Sequence, residues 1–101
     1  MEPNEMMMDL FRSEVESHSE TLSNGLLQLE RDPTDTSVFD SMMRAAHSIK
    51  GAARIVRVDL AVDVAHIIED CFVAAQRGEL LIQPADVDVL LQGIDLLVRI
   101  A

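Results

Sequence analysis

Apolar residues at Phe11, Val15, Leu22, Leu26 and Leu29 recur at spacings of three, four and seven. That is the period of one face of a helix, and it predicts a first helix over about 6–30. Asp32-Pro33-Thr34-Asp35 interrupts the pattern, because proline cannot continue a helix and Asp or Thr can cap the next one. A second helix is predicted over about 36–56, with Phe39, Met42, Met43, Ala46, Ile49, Ala53 and Val56 as its apolar stripe. Arg57-Val58-Asp59 reads as a short turn, with Asp59 as the N-cap of a third helix over about 60–77. The expected stripe of that helix is Leu60, Val64, Ile67, Ile68, Cys71 and Ala75. Gly78 stands where a left-handed C-terminal cap belongs. Pro84 suits the first turn of a fourth helix, about 84–101, with Val87, Leu90, Leu91, Ile94, Leu97 and Val98 on its apolar face.

Short connections make successive helices antiparallel, so the expected fold is all-α: an up-down-up-down four-helix bundle forming one domain over residues 1–101. Composition agrees. The only aromatics are three Phe, so the core has to come from aliphatic residues, Ala and Met, and the low Pro and Gly content suits helices. The chain stops at Ala101 inside a helical pattern, which reads as a piece of a longer protein.

A formal charge of −10 argues against nucleic acid and against an anionic membrane surface, both of which call for clustered Lys and Arg. No apolar run reaches the roughly 18–20 residues of a spanning helix. The start, MEPNEMMMDLF, lacks the basic end and apolar stretch of a signal peptide, and the single cysteine, Cys71, cannot form an internal disulfide. These features together predict a cytoplasmic location.

Within this acidic chain one stretch runs the other way. From Arg44 to Arg57 there are four basic residues, Arg44, Lys50, Arg54 and Arg57, and no Asp or Glu; the whole chain has eight Lys and Arg. His47 lies in the middle, with Lys50 and Gly51 one turn on along the same helix surface. The plainer reading is a solvated basic face that balances the acidic helices. Gly51 weighs against it, since glycine inside a helix costs roughly 0.5–1 kcal/mol relative to alanine and here clears space beside the imidazole. Gly25, which has no comparable neighbours, suggests only close helix packing. On the third helix, His66 and Glu69 are three apart and share one edge. In an antiparallel hairpin that edge can face His47. A carboxylate accepting from one imidazole nitrogen fixes the tautomer and leaves the other nitrogen as a nucleophile. His18 falls on the stripe of the first helix and reads as a structural or boundary residue; Cys71 reads as a core residue.

The run Met43-Arg44-Ala45-Ala46-His47-Ser48-Ile49-Lys50-Gly51-Ala52-Ala53 resembles the A-H-S-[IL]-K-G-[GAS]-A segment of histidine phosphotransfer (HPt) domains. Ala65-His66-Ile67-Ile68-Glu69 resembles the A-H-x-x-E segment that follows in the N-terminal (P1) domain of CheA-family chemotaxis-type histidine kinases. The likeness runs from the first helix into the fourth, with Ala52 where Gly or Ser often stands. It looks narrower still, toward the CheA-like kinase of Wsp-type surface-sensing systems, which feed a diguanylate cyclase response regulator. The resembled bundle usually has a fifth helix, which this chain lacks.

The resemblance implies a phosphoryl carrier in a two-component phosphorelay. His47 would accept the γ-phosphoryl of ATP on Nε2, Glu69 would accept a hydrogen bond from Nδ1–H, and Lys50 and His66 would complete the polar network. Gly51, Arg44 and Arg54 would meet the docking partner. The donor would be a histidine kinase catalytic domain, in the same chain or its dimer mate, and the acceptor an aspartate of a response-regulator receiver domain. ATP and Mg²⁺ would be held by those partners, with no cofactor or metal in this domain. Two rivals are weaker. A metal site of His47, His66, Glu69 and His18 would set Lys50 beside the ion and lacks the paired Glu-x-x-His order of di-metal bundles. A self-sufficient enzyme lacks any Gly-rich phosphate loop or G-x-S-x-G elbow. The alternative to a carrier is a non-catalytic helical adaptor that docks an acidic partner through the second helix.

Overall fold

A computed structural model describes residues 4–101; the first three residues of the expected domain lie outside the described residues. The helices are α1 (Glu5–Arg31), α2 (Phe39–Ile55), α3 (Asp59–Gln76) and α4 (Pro84–Ile100), and no strand occurs among the described residues. Each end has a local cause. The Asn4 side chain accepts from the Met7 N–H to start α1. Past Pro33, Asp35 accepts from the Ser37 N–H and opens a short 3-10 turn, Thr36–Val38, that leads into α2. Gln83 and Asp86 form a reciprocal capping box around Pro84 at the start of α4. Gly78, at φ +76°, ends α3 as expected, with the Glu79 N–H reaching Ala74 and the Gly78 N–H reaching Ala75. The same pair of bonds ends α2, where Arg57 takes the left-handed position at φ +60°. Asp59 is the first residue of α3 and not its cap, which falls on Val58.

The helices pack in order around one core, with α4 returning to α1; α2 and α3 meet most extensively and α3 and α4 more loosely. All five apolar residues expected on α1 are buried, joined by Ser19 and Gly25. A Cβ on Gly25 would lie 2.5 Å from Met42 Sδ, so this glycine does mark close helix packing. Each large aliphatic or Phe side chain so buried contributes roughly 1.5–3 kcal/mol.

The expected stripe of α3 needs correction. Leu60 and Ile67 are exposed and Val64 and Cys71 half-buried, while Ala61, Ala65, Ile68, Phe72 and Ala75 are buried. The sequence offers two adjacent stripes about 100° apart. The alanine one turns inward because Ala61 and Ala65, opposite a helix that also buries Ala46 and Ala53, let the two backbones come close. Similar smaller shifts leave Met43 and Leu91 half-buried and Val98 exposed. Among the described residues, no helix is long and apolar enough to cross a membrane.

Candidate functional site

The α2–α3 pair brings His47 and Glu69 together, twenty-two residues apart in sequence. The turn at Arg57 folds α3 back along α2. Burial of Ala46, Ile49 and Ala53 then leaves His47 on the shoulder of α2 that borders α3. The imidazole is largely exposed, at 67%, and its Nδ1 lies 2.8 Å from Glu69 Oε2. Lys50 donates from Nζ to the other oxygen, Oε1, at 2.5 Å. Lys50 and Glu69 are themselves mostly covered, with side chains 11% and 16% exposed.

Glu69 is therefore the hub. Burial pushes its carboxyl upward, but the hydrogen bonds from Lys50 and His47 and the Lys50 charge outweigh that and hold it below its ordinary value. An ionised carboxylate can only accept, so the proton of the imidazole must sit on Nδ1. Nε2 is left with its lone pair and has no partner among the described residues. A shallow depression lined by Met43, Arg44, His47, Ser48, Glu69 and Val73 surrounds the ring. In its neutral form the imidazole is confined by this arrangement to one tautomer, with Nε2 open to a solvent-borne electrophile.

The remaining expected residues divide. Gly51, one turn on from His47, has nothing within 4 Å of where a Cβ would be, so tight packing does not describe it; it lines a groove between α2 and Met7, Leu10 and Phe11 of α1 and not the depression around the ring. Arg44 and Arg54 are exposed, and Arg44 pairs with Asp40 at 3.1 Å. The basic stretch is thus acid-free in sequence only, because Asp40 and Glu69 reach two of its four cations. His66 is not part of the network. It sits about 60° further round α3 than Glu69, is half-exposed, and faces Asp70 at 3.3 Å. Once α3 turns Ala65 and Phe72 inward, only Glu69 of the A-H-x-x-E run stands at the α2 edge. His18 is a boundary residue, bonded to Glu14 at 2.8 Å, while neighbouring Ser19 takes the buried place.

Sequence reasoning missed the burial of Lys50, although the signal was present: Lys50 falls four after Ala46 and three before Ala53, on the apolar stripe itself. It also missed Asp40 as the partner of Arg44, which the i, i+4 spacing could have shown.

A family profile described as "Hpt domain" matches residues 6–100. The chain belongs to the Hpt domain family. This Hpt domain is 32% identical over 97 residues to the sensor histidine kinase CheAY of Helicobacter pylori, covering 96% of this chain and 12% of that protein. It is 34% identical over 89 residues to the chemotaxis protein CheA of Bacillus subtilis, covering 87% of this chain and 13% of that protein. The chain thus spans about an eighth of the length of these relatives. The fold is similar to that of the CheA phosphotransferase domain from Thermotoga maritima, with a TM-score of 0.87 and 26% identity over 96% of this chain and 93% of that one. The Hpt domain is a phosphoryl carrier of a two-component relay, as the sequence resemblance implied, and it is similar to the phosphotransferase domains of CheA proteins.

Proposed function

We propose that Nε2 of His47 is the atom that carries the phosphoryl group. The observation that carries this reading is the split ring: Nδ1 is tied to Glu69 while Nε2 stands in solvent. The Nε2 lone pair attacks the γ-phosphorus of ATP, the bond from that phosphorus to the β–γ bridging oxygen breaks, and ADP leaves. No proton has to depart, because Nε2 carries none. The ring becomes a phosphorylated imidazolium that keeps its Nδ1–H, and the Glu69 carboxylate balances the new positive charge. That charge also makes the imidazole a good leaving group for the next step.

A histidine kinase catalytic domain, in the same polypeptide or its dimer mate, supplies ATP with Mg²⁺. A receiver domain then takes the group onto its own aspartate, approaching over α2 where Gly51 leaves the surface low. The relay is cytoplasmic in this reading. The finer kinship with Wsp-type surface-sensing kinases belongs to the same proposal and rests on the sequence resemblance.

Incubation with a kinase catalytic domain and labelled ATP tests it. The expected product is an acid-labile, base-stable label that disappears in His47→Gln, a variant that should fold normally because the ring is largely exposed. Undiminished label in that variant sinks the assignment.

A further inference from the structure

We infer that Arg44 is the counter-ion of the phosphoryl group, exchanging Asp40 for it once His47 is loaded; this rests on the phosphocarrier reading above. A phosphoryl group on Nε2 brings close to two negative charges to an exposed position. Lys50 would be the obvious cation, but its ammonium lies beneath the surface and donates to Glu69. Withdrawing it would leave Glu69 partly buried with only His47 as a partner.

Arg44 has no such commitment. Helical side chains lean back toward the N-terminus, so the His47 ring lies over the preceding turn, and Arg44 lines the same depression. Its present partner is Asp40, one turn further back, at 3.1 Å, with the two side chains 80% and 58% exposed. An exposed pair of this kind is weakly held, whereas a guanidinium can grip a phosphoryl group with two parallel charge-assisted bonds. The exchange needs only rotamer changes of one exposed side chain. Arg54, seven residues beyond His47, lies two turns away and is too distant to compete directly. Asp40 then acts as a parking place that keeps Arg44 off the unloaded ring, where a cation would depress the basicity of Nε2.

Phosphorus NMR of the loaded domain tests this. The chain is phosphorylated with a small phosphoramidate donor, so that no kinase contact is involved, and the phosphoryl resonance is titrated with pH. In Arg44→Gln the second phosphoryl ionisation should become about three- to tenfold weaker as an acid than in the unaltered chain. In Asp40→Asn, which frees Arg44, it should become stronger or stay as it was. Opposite or unequal responses of this kind do not follow from loss of a helix-surface pair, which both variants share. Arg44→Lys should restore part of the effect through charge alone. Equal ionisation in Arg44→Gln and the unaltered chain overturns the inference while leaving His47 as the carrier. Failure of the unaltered chain to take up phosphoryl on His47 overturns both.

Discussion

Lys50→Met removes the ammonium that holds Glu69 and keeps an unbranched apolar stem of similar length in the same place. What is lost is one charge-assisted bond between side chains that are 11% and 16% exposed. Breaking a fully buried pair by removing one partner costs about 3–5 kcal/mol, and an exposed pair under about 1 kcal/mol. This pair lies at the edge of the bundle, between those limits, so the expected loss is about 2 kcal/mol. For a domain of this size that lowers Tm by roughly 10 °C. The pH dependence has a definite sign. Glu69 is held below its ordinary value of 4.5, so the stability it contributes is complete above that value and disappears as pH falls through the lower folded value. The gap between Lys50→Met and the unaltered chain should therefore be full at neutral pH and close in acid. Urea unfolding of both proteins across that range, completed as a double-mutant cycle with Glu69→Gln, measures the coupling directly. A variant melting within about 2 °C of the parent, or a cycle with no coupling, would refute the hub role given to Glu69.

Glu69→Ala strands the Lys50 ammonium under the surface and frees the His47 ring, so it should cost about 2 kcal/mol in denaturant unfolding and slow phosphoryl uptake in the labelled-ATP assay. Two of the three glycines inside helices, Gly51 and Gly25, should answer oppositely to alanine. Gly51→Ala meets open space and should gain up to about 1 kcal/mol from helix propensity, while slowing transfer to a receiver measured by loss of label. Gly25→Ala drives a Cβ into the fully buried Met42 and should lose about 1–3 kcal/mol in the same unfolding measurement.

Much of the bundle was legible because α1, α2 and α4 carry apolar residues dense enough to define one face each, and Pro33, Gly78 and Pro84 punctuate them. α3 was not, because Leu60, Val64, Ile67 and Cys71 look more hydrophobic than Ala61 and Ala65. Hydrophobicity alone cannot say that small residues win where two helices approach closely. His66 was expected beside His47 because it is three residues from Glu69 and because the resemblance implied it, but the orientation of α3 turns it toward Asp70. The His47–Glu69 pairing was legible, since it needs only the hairpin and one edge of α3, and Glu69 stands on that edge for either orientation. The covering of Lys50 was legible as a position on the apolar stripe, four after Ala46 and three before Ala53, but not as a chemical role, because only the fold shows the partly buried Glu69 that its ammonium meets.

The turn between α2 and α3 is short and closed by two backbone bonds around a left-handed Arg57. That makes it a gauge for the site as well as a connection. His47 is counted back from it along one helix and Glu69 forward along the other, so neither can slide without the other. One inserted residue ahead of Glu69 would wind its carboxylate about 100° around α3 and displace it about 1.5 Å along the axis, out of reach of Nδ1 and Nζ together. The chemistry of a surface histidine is thus calibrated at the far end of the hairpin, by a turn that touches neither the ring nor its carboxylate.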